Sequence, residues 1–137
     1  MIITIIKDKD IFKTSCEHIV FALNSRGDNK SGFAALVSRD FWPELVDTGP
    51  KKLGEILSRK VEGKTFHAIV CYNKSIGGWE ETPKIVEKCL NSLDVPVNEA
   101  IAIVLMGSGI MEQVERADKS AILDAMARSK KHLVVYT

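Results

Sequence analysis

The segment Met106-Gly107-Ser108-Gly109-Ile110 closes an apolar stretch of strand character and precedes a helical pattern that begins near Glu115. Glycines at such a place let backbone N–H groups approach an anion without interference from a Cβ, and a following helix N-terminus adds a favourable dipole. A phosphate group suits that chemistry. The same logic applies to Asn24-Ser25-Arg26-Gly27-Asp28-Asn29-Lys30-Ser31-Gly32-Phe33, a polar loop that follows another apolar run and leads directly into a helical pattern. A third loop, Asn73-Lys74-Ser75-Ile76-Gly77-Gly78-Trp79, again stands between strand and helix, with Pro83 suited to the helix's first turn. Any one of these alone is also what an ordinary tight turn looks like. Together they converge on one edge of a parallel sheet, where open α/β folds bind ligands beyond the carboxyl ends of the strands.

Other polar residues carry less. His18, His67 and His132 are far apart in sequence and lie next to or within strands, which favours packing or surface roles, and no metal site is expected. Glu80, Glu81, Glu112 and Glu115 are general-base candidates only in principle, because acidic residues at helix starts ordinarily cap the helix or face solvent. Phe41 and Trp42 read as core or as a hydrophobic lid, and Trp79, after two glycines, as an exposed ring able to stack on a ligand.

The elements that must position these loops are legible as strand-length apolar runs: Ile2 to Ile6, Ile19 to Leu23, Phe66 to Tyr72, Ala100 to Met106 and Leu133 to Tyr136. Their apolarity is continuous rather than alternating, so both faces of the sheet are covered. Between them, Phe33, Ala34, Leu36, Val37, Phe41 and Leu45 recur at helical spacing. So do Ile85, Val86, Cys89, Leu90 and Leu93, and again Ala121, Ile122, Ala125 and Met126. A turn at Glu62-Gly63-Lys64 separates Glu55 to Val61 from Thr65 to Tyr72, which predicts a hairpin and therefore a mixed sheet.

With 137 residues and no repeat, low-complexity tract or long linker, the chain reads as one domain over 1–137. Hydrophobic residues make up 45% and charged residues 27%, which excludes the disordered and membrane classes. A net charge of +1 supplies no global field for nucleic acid or anionic lipid, so neither is an expected partner. Cys16, Cys71 and Cys89 are odd in number and lack a C-x-x-C pair, which fits reduced thiols in a cytoplasmic or nucleocytoplasmic protein. The opening Met1-Ile2-Ile3-Thr4-Ile5-Ile6 turns charged at Lys7-Asp8-Lys9-Asp10, too soon for a signal-peptide core, so no export is expected.

In the order and spacing of these segments the chain resembles the macro domains, α/β/α modules that bind ADP-ribose and in some members hydrolyse its derivatives. The carriers are Ile3-Thr4-Ile5-Ile6-Lys7 leading to Asp10-Ile11-Phe12; Ile19-Val20-Phe21-Ala22-Leu23-Asn24; Ser31-Gly32-Phe33-Ala34; Gly107-Ser108-Gly109-Ile110; and Val134-Val135-Tyr136-Thr137. The chain looks most like the compact branch that removes terminal ADP-ribose from proteins, or the phosphatases acting on ADP-ribose 1″-phosphate. The resemblance implies a three-layer α/β/α sandwich around a central mixed, largely parallel sheet. It implies ADP-ribose or an ADP-ribosylated molecule as ligand, no cofactor and a monomer.

Carried over residue by residue, Asp10 would accept a hydrogen bond from the adenine amino group, supported by the Ile11 backbone. Asn24 would face the distal ribose and is the one catalytic candidate. Ser31, Gly32 and Phe33 would line the first phosphate loop; Gly107, Ser108, Gly109, Ile110 and Met111 would wrap the diphosphate through backbone N–H groups; Tyr136 would pack near the adenine. The family commonly has Lys-Gly before the Asp, where this chain reads Lys7-Asp8-Lys9 and runs one residue longer, so Asp8 and Asp10 both remain candidates. The nucleophilic lysine of the terminal ADP-ribose hydrolases has no counterpart in Val37-Ser38-Arg39-Asp40, and their aspartate is replaced by Met111 followed by Glu112. Without amine and carboxylate partner the Schiff-base route is disfavoured. The alternative is a protein- or RNA-interaction domain that retains the fold and uses Arg26, Lys30 and Arg39, in which case bulky Phe33, Met111 or Trp79 should fill the crevice.

Overall fold

The computed structural model describes residues 2–27, 32–45, 49–72, 80–105 and 118–137. Among them six strands form one sheet: β1 (Ile2–Ile6), β2 (His18–Asn24), β3 (Ile56–Val61), β4 (Lys64–Tyr72), β5 (Ile101–Val104) and β6 (His132–Tyr136), in the order β1-β6-β5-β2-β4-β3. All neighbours pair in parallel except β3 with β4. The exception follows from the turn chemistry. Glu62 and Gly63 both take positive φ, 50° and 84°, the combination that a tight two-residue hairpin demands and that glycine accepts without strain.

Among the described residues three helices, α1 (Gly32–Asp40), α2 (Thr82–Ser92) and α3 (Lys119–Arg128), cover the sheet, with 3-10 turns at Ile11–Lys13 and Pro43–Leu45. One core unites Val20, Ile69, Cys71, Ile101, Ile103, Leu133 and Val135 with Val86, Cys89 and Leu90 of α2 and Ile122 and Met126 of α3. The other unites Ile19, Phe21, Leu23, Phe66, Ala68 and Val70 with Ala34 and Val37 of α1, Ile11, Trp42 and Leu45. Successive residues of β2 and β4 thus enter opposite layers, both of them dry. That is why these strands are apolar without alternation, and the architecture is the expected three-layer sandwich. No helix among the described residues is long and apolar enough to cross a membrane.

All five phenylalanines of the chain lie on the α1 side and close a ring of contacts. Phe12 stacks on Phe33 and Phe41, Phe33 tilts against Phe21, Phe21 meets Phe66 edge-on, and Phe66 returns to Phe41, with centroids 5.0 to 6.4 Å apart. Such offset and tilted pairs each add about 0.5–1.5 kcal/mol beyond the area they bury. Because Phe12 belongs to the turn after β1 and Phe33 to the first turn of α1, the ring ties two strand-end connections together.

Buried lysines satisfy carbonyls that no ladder reaches. Lys131, 9% exposed, donates from Nζ to the carbonyl oxygens of Leu93 and Val95 at 2.6 and 2.7 Å. Lys64 does the same for Thr14 and Cys16. Replacing Lys131 with methionine keeps the stem but takes a donor from both carbonyls, of which the Leu93 oxygen still holds the Val95 N–H at 2.9 Å. Lys131→Met is therefore expected to lower unfolding stability by about 1–3 kcal/mol in a urea titration, with the m-value unchanged.

Candidate functional site

The carboxyl ends of the five parallel strands share one edge of the sheet, and the turn after β1 forms its first feature. Asp8 sits at φ 58°, a left-handed conformation ordinarily given to glycine, and its N–H reaches the Thr137 carbonyl at 3.2 Å. The Asp thus takes a backbone conformation that suits the glycine which the resemblance leads one to expect at this place. Asp10 accepts the Phe12 N–H on Oδ1 at 2.9 Å and so starts the Ile11–Lys13 turn. That bond fixes the orientation of its exposed carboxylate, while Ile11 is 5% exposed and anchors the turn in the core.

β6 lies between β1 and β5 here, with Tyr136 in register with Ile6 and Val104. The Tyr136 ring is half-buried against the cluster that also holds Phe12 and Phe33. Asp10, Ile11, Phe12, Gly32, Phe33 and Tyr136 are thus brought to one edge. Phe33 packs against Phe12 and Phe21.

At the end of β2 the register with β4 shifts between Leu23 and Asn24, so that Asn24 pairs with Tyr72. Irregularities of this kind re-aim a side chain at the end of a strand. Asn24 Oδ1 accepts the N–H groups of Arg26 and Gly27 at 3.0 and 2.9 Å, which folds the loop back on itself. Its side-chain oxygen is therefore a loop-forming group in this structure. Gly27 has φ 77°, and a Cβ there would meet the Gly49 carbonyl oxygen at 2.0 Å. The Lys51 N–H donates to the Ser25 carbonyl at 2.8 Å beside it. Gly32, also at positive φ (74°), opens α1 with nothing among the described residues within 4 Å of its would-be Cβ. At the neighbouring strand end the buried Thr82 hydroxyl donates to the Cys71 carbonyl at 2.5 Å, fixing the start of α2, where Pro83 falls in the first turn as expected.

Ser31, Gly107, Ser108, Gly109, Ile110 and Met111 lie outside the described residues, as do Lys30 and Asn73 to Trp79. The stretch where a lysine nucleophile would stand is described: Val37 is buried, the Ser38 hydroxyl donates to the Pro43 carbonyl at 3.3 Å, and Arg39 is exposed. Arg39 binds its neighbour Asp40 through two hydrogen bonds, which raise the guanidinium and lower the carboxyl from their ordinary values. A guanidinium that never loses its charge is no substitute for an amine nucleophile.

A polar network missed by sequence reasoning crosses the opposite edge. Ser58 Oγ lies 2.7 Å from His67 Nδ1, His67 Nε2 lies 2.9 Å from His18 Nδ1, and His18 Nε2 lies 3.3 Å from Glu99 Oε1. Burial, and secondarily the charge of His18, lowers His67 to about 4. The ring is neutral at pH 7 and too weak a base to activate Ser58 as a nucleophile. The two histidines stand 49 positions apart, and only the β2–β4 register reveals that they meet.

At the level of sequence no family model matches the chain and no curated protein matches it. Solved structures do. The macrodomain of Mycobacterium tuberculosis DarG superposes with a TM-score of 0.70 at 15% identity, covering 98% of this chain and 97% of that one. The macrodomain of Thermus aquaticus DarG does so with 0.63 at 17%, covering 98% and 97%. In the alphavirus P23pro-zbd the likeness has a TM-score of 0.65 at 17% identity and covers 98% of this chain but 21% of that longer one. The fold is the macrodomain fold.

Gly27→Ala tests the packing of the loop after β2. Because the obstacle is backbone and the φ is left-handed, the substitution should cost about 1–3 kcal/mol in thermal or urea unfolding. Gly32→Ala, strained in φ but unobstructed, should cost less.

Proposed function

We propose that the chain binds ADP-ribose, or the ADP-ribosyl group of a modified molecule, across the carboxyl ends of its parallel strands. The observation that carries this reading is the Phe12–Phe33 stack, with centroids 5.0 Å apart and planes 6° from parallel. It locks the Asp10–Ile11 turn, the resemblance's adenine end, against Gly32–Phe33, its first phosphate loop. A ligand with a base at one end and a diphosphate in the middle suits an exposed carboxylate and a glycine-started helix held at one sheet edge. Phe33, engaged in the core, contributes backbone to the loop rather than a plug to the crevice. The resemblance supplies the second phosphate loop at Gly107 to Met111.

Turnover is a separate question of chemistry. With no lysine in Val37-Ser38-Arg39-Asp40, a covalent amine route has no nucleophile, and hydrolysis would have to proceed through a water oriented near the distal ribose, where Asn24 is the candidate.

Calorimetric titration with ADP-ribose, with AMP and NAD as controls, tests the reading. Saturable binding by the wild type and its loss in Gly107→Glu, whose carboxylate would repel the diphosphate, is the expected result. No binding by folded wild type would sink the nucleotide reading and leave the fold with a protein or RNA partner. Asn24→Ala should abolish any release of phosphate or ADP-ribose while nucleotide binding persists, provided its unfolding profile stays close to wild type.

A further inference from the structure

We propose that Glu17, His18 and Glu99 form a binding site for a divalent transition metal of the zinc class, at the edge of the sheet opposite the nucleotide crevice. One ligand atom from each of the three lies within 4.8 Å of the others. An imidazole nitrogen with two carboxylates is a donor set that suits zinc better than calcium or magnesium, whose sites are built from oxygen alone.

The spacing supports the assignment. Two atoms each about 2.1 Å from a shared ion stand about 3.4 Å apart at a tetrahedral angle, and His18 Nε2 and Glu99 Oε1 are separated by 3.3 Å. The residues are also held from outside the set. The Thr65 N–H donates to the Glu17 carbonyl at 2.7 Å, and His18 pairs in register with Thr65 on β4 and Ile101 on β5. His67, 7% exposed, meets His18 Nδ1 from the core side, and Ser58 meets His67 in turn.

In the metal-bound arrangement the protons all point one way. His18 Nδ1–H donates to His67 Nε2, His67 Nδ1–H donates to Ser58 Oγ, and the lone pair on His18 Nε2 faces the ion. A buried partner on the second ring nitrogen is the usual means by which a metal-bound histidine is fixed in tautomer and plane. The His18 and Glu99 side chains are 17% and 38% exposed, so an ion and a solvent ligand can reach them. The assignment is independent of the proposed nucleotide function.

The test titrates chelator-treated full chain with zinc chloride by calorimetry, alongside His18→Asn and Glu99→Gln, and records thermal unfolding with and without zinc. One equivalent bound by wild type, at least about tenfold weaker binding in both variants, and a zinc-dependent rise in Tm confined to wild type are expected. His67→Gln, which touches no ion, should weaken zinc binding by about 10–100-fold if it positions His18. Binding by wild type no tighter than by folded His18→Asn would overturn the proposal and leave His18 and Glu99 as an ion pair. Should either variant fail to fold, long-range histidine NMR of the wild type decides: zinc must shift His18 Nε2, and an unmoved Nε2 overturns the assignment.

Discussion

Parallel pairing is the constraint on which the remainder of this structure depends. Two parallel neighbours cannot be joined by a tight turn, so each pair needs a connection that crosses the sheet and returns. Here those connections put α1 on one face and α2 and α3 on the other, which covers both faces of the central strands and goes with their continuous apolarity. The same constraint sends every parallel strand out at one edge. The loops that follow those strands therefore gather at that edge, as a by-product of how the sheet is wired.

The phenylalanine ring turns that general edge into a specific site. A loop beyond a strand end has few contacts of its own, and its position must come from something rigid beneath it. Phe12 and Phe33 are short in sequence distance from Asp10 and Gly32, and their stack converts aromatic packing into a fixed distance between the turn after β1 and the start of α1. Asn24 works in the same sense, since the two N–H groups bound to its side-chain oxygen shape the loop between β2 and α1.

Much of the fold was legible in the sequence because it follows from local signals. Continuous apolar runs gave the strands to within a residue or two at most ends, helical spacing gave α1 to α3, and Glu62-Gly63 gave the single antiparallel pair. Of the site, Asp10, Ile11, Asn24, Gly32, Phe33 and Tyr136 do share one edge, since sequence order and parallel connection are enough to place them. What stayed hidden depends on register. The loop-forming role of the Asn24 oxygen arises from a shift between β2 and β4, and the line from Ser58 through His67 and His18 to Glu99 joins four separate segments. Asp8 in a left-handed turn was invisible for another reason, because aspartate enters that conformation only where the surrounding backbone insists on it.

The place of β6 in the sheet sets a timetable for assembly. Among the described residues β1 hydrogen-bonds only to β6, so the earliest of these six strands has no sheet partner until residues near position 136 have been made. Closing a loop of that length costs chain entropy before any pairing repays it, and such non-local contacts slow folding. The inner strands β5, β2 and β4 can pair with one another earlier, while Ile2 to Ile6 wait as an apolar segment with both edges open. On a ribosome that segment would emerge before the other five strands and pair after the inner ones, which leaves it in need of protection while the sheet is being completed.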